Sequence, residues 1–117
     1  MIRRGDVIIV DFPFADGRAG KVRPALVVQA DNENARLSNT IVAMISGNTR
    51  HAHLPTQLLI DLTTPEGTSS GLHGTSTVKC TNLFTVAQAN VITVVGRLAP
   101  SLMSRIDGCL KAALGIA

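Results

Sequence analysis

The sequence of 117 residues has no tryptophan and no tyrosine, and it has three phenylalanines, Phe12, Phe14 and Phe84. A broad aromatic platform for stacking nucleic-acid bases is therefore excluded, because such platforms present several neighbouring rings. If the protein binds a nucleic acid, we expect cations, amides and hydroxyls to make most of the contacts.

Cysteines and long apolar runs are also scarce. Cys80 and Cys109 stand far apart in apolar surroundings without metal-ligand spacing, so we expect two buried thiols and neither a disulfide nor a zinc site. No apolar run approaches the roughly 20 residues that cross a bilayer, and residues 1–6 lack the apolar stretch of a signal peptide. We therefore expect a cytoplasmic protein with no metal, no other cofactor and no membrane partner.

The composition is that of a compact globular chain. Hydrophobic residues make up 45% and charged residues 16% of the sequence, and the formal net charge is +3. A chain of 117 residues is long enough for one core and too short to divide comfortably, so we predict a single domain over residues 1–117. The positive charge is compatible with an anionic partner but modest beside that of dedicated nucleic-acid-binding proteins.

Short apolar segments rich in β-branched residues predict strands at 6–12, 26–28, 40–46, 56–61, 75–80, 84–86 and 91–98. Residues 31–37 predict one helical turn capped by Asp31, and the polar residues 63–74 predict a surface loop. Apolar residues recur at helical spacing from residue 101, with Pro100 suited to a first turn. The predicted fold class is mainly β: a small, strongly curved, largely antiparallel sheet or open barrel with a C-terminal helix.

Arg23 is the first candidate for chemistry. Pro24 removes a backbone donor and biases Arg23 toward extended geometry at the start of the buried strand Leu26–Val28. A rigid strand start bordering solvent suits a planar guanidinium that binds phosphate. The alternative is an arginine that pairs with a nearby carboxylate.

Ser46 is the second candidate. It ends the apolar segment 40–46 and precedes Gly47, which permits close backbone approach, so its hydroxyl could face the same site as Arg23. The alternative is a serine that merely terminates the strand in a turn.

Basic residues fall at strand ends and in loops, where they would form a basic groove if the loops converge: Arg18, Lys21, Arg23, Arg50, His51 and His53. His51 and His53 could bind a metal, but no third ligand of suitable spacing is evident, which favours two solvated loop residues.

Four segments, taken together and in order, resemble the MazF/PemK family of toxin endoribonucleases: Arg4–Val7, Gly20–Val28, Ile41–Ser46 and Leu54–Thr56. The resemblance extends through Val78–Cys80, Phe84–Val86 and Leu114–Ile116. It implies the SH3-like open barrel of the MazF/CcdB-like toxin fold and a homodimer. It also implies metal-independent, sequence-specific cleavage of single-stranded RNA, including mRNA, and neutralisation by an antitoxin with an acidic tail.

The resemblance also implies site residues. It assigns the catalytic pair to Arg23 and Ser46, where many members carry threonine in place of the serine. Some members use an arginine and an aspartate that flank the cysteine of the fifth strand, and the matching residues here are Lys79 and Thr81. Because Thr81 cannot act as a carboxylate base, the resemblance favours Arg23 and Ser46 as the catalytic pair.

The remaining candidates are RNA-binding residues: Arg18, Lys21, Arg50, His51, His53, Lys79 and Thr81. A rival interpretation keeps the same barrel without catalysis, as an RNA-binding module or a CcdB-like inhibitor of DNA gyrase. The Arg23 and Ser46 pair favours the nuclease, and the missing acid at Thr81 favours the binder.

Overall fold

The computed structural model describes residues 1–12 and 21–117. Within them, one sheet contains six strands: β1 Asp6–Phe12, β2 Lys21–Val27, β3 Asn39–Ser46, β4 Gln57–Ile60, β5 Ser76–Ala87 and β6 Val91–Arg97. Their order is β4-β5-β3-β2-β1-β6 and every neighbouring pair is antiparallel. The predicted mainly β fold is therefore confirmed, with β4 and β6 as the open edges.

The described helices are α1 Asp31–Arg36, α2 Pro65–Thr68 and α3 Pro100–Leu114, with a 3₁₀ turn at Gln88–Asn90. Pro100 occupies the first turn of α3, as predicted, where its missing amide proton costs no hydrogen bond. Gly115 ends α3 in the left-handed conformation, with φ of 70°. No helix in the described ranges is long and apolar enough to cross a membrane.

The two faces of the sheet carry separate apolar cores. The helix-side core packs under α3 and contains Leu26, Ala43, Ile45, Leu58, Val78, Cys80, Ile106 and Cys109, among others. The second core lies on the opposite face and contains Ile8, Val10, Phe12, Ala25, Val27, Val42 and Val86, among others. Because side chains alternate along each strand, β2 and β3 contribute to both cores and form the rigid centre of the sheet.

The segments predicted as separate strands at 75–80 and 84–86 form one strand, β5. Its pairing with β3 shifts between Ala43, which opposes Leu83, and Met44, which opposes Lys79. Cys80 to Asn82 are therefore left without partners on β3 and form a bulge. In this β5 bulge, the amide of Cys80 instead donates to the carbonyl of Thr56 at 3.1 Å.

Two local predictions were wrong. The N-cap of α1 is Ala30, which makes no side-chain cap, while Asp31 is the first helical residue and accepts a hydrogen bond from the Arg4 amide at 2.7 Å. The predicted loop at 63–74 contains α2, because the Thr64 hydroxyl accepts from the Gly67 amide at 3.0 Å and starts a helical turn.

Candidate active site

A cleft of about 400 Å³ opens where β2, β3 and β5 meet. It brings together three residues that the sequence singled out, Arg23, Ser46 and Lys79. The full lining is Arg23, Pro24, Met44, Ile45, Ser46, Gly47, Lys79 and Asn82. Two cations and a hydroxyl in one open cleft form a site suited to a phosphate group.

Strand register explains why Arg23 and Ser46 meet. Ala25 lies opposite Met44 in the antiparallel β2–β3 pair. This is the last pair of the β2–β3 ladder; Arg23 and Ser46 each lie two residues beyond it, where side chains return to the same face, and both line the cleft.

Arg23 is exposed, whereas Ala25, two residues later, is fully buried. The guanidinium therefore extends to solvent from a backbone that the core holds rigid. The ion pairs among residues 1–12 and 21–117 are Arg4–Asp107, Arg36–Glu33 and Arg97–Asp6, so no described carboxylate neutralises Arg23.

Ser46 is half-buried, and its Oγ accepts a hydrogen bond from the Asn48 amide at 3.1 Å. This bond turns the chain at the end of β3 and leaves the hydroxyl proton available for a ligand oxygen. The turn role is therefore compatible with the predicted role of Ser46 in the site.

The β5 bulge supplies the third wall. Lys79 opposes Met44 just before the bulge, and Asn82 enters the cleft at its end. Thr81 is exposed beside Asn82, with the two side-chain oxygens 3.5 Å apart, but it does not line the cleft. Sequence reasoning missed Asn82, although it belongs to the same short segment as Lys79 and Thr81.

The other predicted RNA-binding residues lie elsewhere. Lys21 is exposed at the start of β2, two residues before Arg23 and on the same face. Arg50, His51 and His53 lie on the exposed loop between β3 and β4, outside the cleft. His53 lines a separate cavity of about 460 Å³ together with Arg105 of α3.

Arg18 lies outside the described residues. Within the described ranges, no three histidine, cysteine, aspartate or glutamate side chains are grouped so that they could hold a metal ion. The imidazoles of His51 and His53 are neighbours, with ring centroids 6.4 Å apart.

Thr77 is a further residue that sequence reasoning missed. It lies directly opposite Ser46 in the β3–β5 register and is fully buried. Its hydroxyl has no hydrogen-bond partner among the described residues. An unpaired hydroxyl at this depth lowers stability, and it borders the residue proposed to contact phosphate.

Both cysteines are buried and free, as predicted. Cys80 starts the β5 bulge but belongs to the helix-side core, where Cys109 of α3 is its neighbour. Burial, followed by the proximity of Cys109, raises the pKa of the Cys80 thiol from 9.0 to about 12. At neutral pH the thiol is therefore protonated and does not act as a nucleophile.

Comparison with known proteins agrees with this fold. Residues 3–114 match the family described as PemK-like, MazF-like toxin of type II toxin-antitoxin system, and the chain belongs to that family. Similar proteins include the endoribonuclease MazF2 of Mycobacterium bovis, 31% identical over 99% of both chains. Another is the endoribonuclease EndoA of Bacillus subtilis, 28% identical over 99% of this chain and 97% of that protein.

Solved structures share the fold. A mycobacterial endoribonuclease in complex with its cognate antitoxin superposes with a TM-score of 0.81 at 22% identity, covering 100% of this chain and 98% of that one. A MazE–MazF structure from Deinococcus radiodurans gives a TM-score of 0.73 at 17% identity, covering 99% and 98%. The six-stranded sheet with its C-terminal helix is thus the architecture of MazF toxins.

Proposed function

We propose that this chain is the toxin of a type II toxin-antitoxin pair that acts in the cytoplasm as a sequence-specific endoribonuclease on single-stranded RNA. Cleavage of mRNA would stop translation and growth. The observation that carries the proposal is the convergence of Arg23, Ser46 and Lys79 in one open cleft. Membership of the toxin family and two endoribonuclease relatives support it.

The reaction proceeds without a metal by using a nucleophile that the substrate supplies. The 2′-hydroxyl of a ribose loses its proton and attacks the adjacent phosphorus; as the new bond to the 2′-oxygen forms, the bond to the 5′-oxygen of the next nucleotide breaks and that oxygen takes up a proton. The products are a 2′,3′-cyclic phosphate and a free 5′-hydroxyl. The protein must hold the attacking and leaving oxygens in line and stabilise the charge that develops on the phosphoryl oxygens.

Arg23 is suited to charge stabilisation, because its guanidinium donates two parallel hydrogen bonds to a phosphate and stays charged at neutral pH. Lys79, across the cleft on β5, adds a second cation. The Ser46 hydroxyl donates to a phosphate oxygen and fixes its position between the two cations. In this assignment the three side chains touch the reacting phosphate, and the substrate supplies the nucleophile.

The test is cleavage of a mixed-sequence single-stranded RNA in EDTA, followed by mapping of the ends. Cyclic phosphate and 5′-hydroxyl ends at a recurring sequence support the proposal. The same RNA with deoxyribose at the mapped nucleotide should bind without being cut. Binding without cleavage in the first experiment would instead support the RNA-binding module, and inhibition of DNA gyrase would support the CcdB-like alternative.

A second copy of the chain is the proposed structural partner. The edge strand β6 exposes Ile92, Val94 and Val95, and exposed apolar edges in small sheets are commonly covered by symmetric pairing. Sedimentation at micromolar concentration should show a homodimer. A monomer there would contradict this assignment without affecting the cleavage assay.

The proposed regulatory partner is an antitoxin with an acidic tail that competes with RNA for the cleft. Carboxylates and phosphates are attracted by the same cations, so both complexes should weaken with salt. Changing Lys21 and Lys79 together to glutamine should weaken both complexes and reduce both salt dependences. Lys111→Gln is the control, because it removes an exposed cation from α3, which contributes no residue to the cleft; simultaneous binding of antitoxin and uncleavable RNA would contradict competition.

A further inference from the structure

Phe84 is an aromatic side chain held in place with part of its ring uncovered. It is 45% exposed, on the part of β5 that pairs with β3 alone, because β4 pairs with β5 only at Ser76–Lys79. The ring of Phe12, from the second core, meets it in an edge-to-face contact with centroids 5.5 Å apart and planes at 67°. This contact fixes the orientation of the Phe84 ring while leaving much of its surface open to solvent.

The ring lies beside the candidate active site. Phe84 follows Asn82 by two residues on β5, and Asn82 lines the cleft. Across the sheet, Phe84 opposes Val42, which precedes the cleft residue Met44 by two residues. Two residues of extended strand span roughly 7 Å, so the ring lies at the edge of the cleft and on the same face of the sheet as Met44.

We propose that Phe84 stacks against the base of a nucleotide adjacent to the one whose phosphate lies between Arg23 and Ser46. The inference rests on the proposed function and adds a base-binding subsite to it. A fixed ring with an open surface provides an apolar stacking partner, and the neighbouring amide of Asn82 can hydrogen-bond to a base edge. One ring serves one base, which is compatible with the absence of a broad aromatic platform.

Stacking is tested with Phe84→Leu, which keeps apolar contact with Phe12 but removes the planar ring, and with Phe84→Trp, which keeps a ring. The probe is a short RNA of the mapped cleavage sequence with deoxyribose at the cleaved nucleotide. Phe84→Leu should bind it about 10–100-fold more weakly, the range for loss of one stacked base, and Phe84→Trp should retain binding. Leu114→Ala, which removes an exposed apolar side chain near the end of α3, is the control and should bind normally.

A series of the same RNA lacking one base at a time identifies the stacked nucleotide. At one position, removing the base should weaken binding to the wild-type protein by about the same factor as Phe84→Leu does. In Phe84→Leu, removing that base should cause no further loss of RNA affinity. Equal penalties in both proteins at every position would overturn the proposal, as would unchanged binding of intact RNA by Phe84→Leu. Thermal melting of each variant reports on folding. Sedimentation reports on whether the ring contributes to a contact between protein chains.

The cleavage assay separates this inference from the proposed function. Normal cleavage by the wild-type protein with unaffected RNA binding by Phe84→Leu overturns the stacking site alone. A wild-type protein that neither cuts nor binds the mixed RNA overturns both. If the wild-type protein binds without cutting, the variants are compared on the mixed RNA, and equal affinity of Phe84→Leu and wild type again rejects the stacking site. A loss of antitoxin binding or dimerisation without any loss of RNA binding assigns the ring to a protein contact and rejects the inference.

Discussion

Arg23 and Ser46 line the same cleft from adjacent antiparallel strands, each two residues beyond the last β2–β3 pair, Ala25 and Met44. The core fixes this relationship, because Ala25 is fully buried and Ala43, next to Met44, is equally inaccessible. A register slip of one residue would move every side chain of the strand to the other face. The geometry of the cleft is therefore specified by packing of the same two strands.

Arg23→Ala should reduce RNA cleavage by about two to four orders of magnitude, the scale for removal of a charge-stabilising or acid-base group. Its melting temperature should stay near that of the wild type, because the side chain is exposed. Single-turnover cleavage and thermal melting check the two expectations. An active variant with normal melting would remove Arg23 from the catalytic assignment.

Ser46→Ala should reduce cleavage less than Arg23→Ala, because it removes one hydrogen bond from an uncharged hydroxyl to a charged phosphate, a contribution of about 1.5–3 kcal/mol. The variant also loses the acceptor for the Asn48 amide, so its melting temperature must be measured beside its rate. Ser46→Thr keeps the hydroxyl and is expected to remain active. A folded but inactive threonine variant would mean that the cleft lacks room for the methyl group or that the hydroxyl must rotate.

Much of this site follows from local sequence patterns. Pro24 and the apolar residues after it predict a rigid strand with Arg23 at its start, and the apolar segment before Ser46 predicts the strand that meets it. Local patterns do not show where loops distant in sequence lie relative to the cleft. Nothing in the composition of Arg50 to His53 distinguishes a loop that lines the cleft from one that turns toward α3.

The β5 bulge was equally inaccessible to sequence reasoning. Cys80 to Asn82 contain no glycine or proline that would indicate an interrupted ladder. The shift in pairing depends on which residues of β3 lie opposite β5. The helix α2 did have a signal, since Thr64 followed by Pro65 is a combination of N-cap and first-turn proline. Its serine- and threonine-rich surroundings obscured that signal.

Gly71→Ala should destabilise the protein by at least about 2 kcal/mol, from the left-handed backbone and from overpacking. Gly71 has φ of +73°, and a methyl group there would overlap the carbonyl of Val95 on β6. Gly74→Ala is the matched control, because the same methyl group would meet open space. Urea unfolding measures both, and equal stabilities would mean that the segment after α2 does not pack against β6 as described.

Stability should fall at alkaline pH through Cys80. The folded state raises the pKa of this thiol from 9.0 to about 12, so it binds the proton more tightly than the unfolded chain does. The stability gained from this tighter proton binding is complete below pH 9 and is lost progressively as the pH rises toward about 12. Cys80→Ala should show a shallower decline over this window when unfolding free energies are compared, and an identical decline would contradict the assignment.

Thr77→Val should leave the protein as stable as the wild type or stabilise it by about 1–3 kcal/mol, the mutational cost of a buried polar group without a partner. Valine has nearly the same shape, and the Thr77 hydroxyl has no partner in the described part of the chain. Urea unfolding gives the change in stability, and cleavage by the same variant shows whether the hydroxyl contributes through its neighbour Ser46. Greater stability with full activity would make Thr77 a structural residue of the strand, whereas lower stability would show that the hydroxyl has a partner in solution.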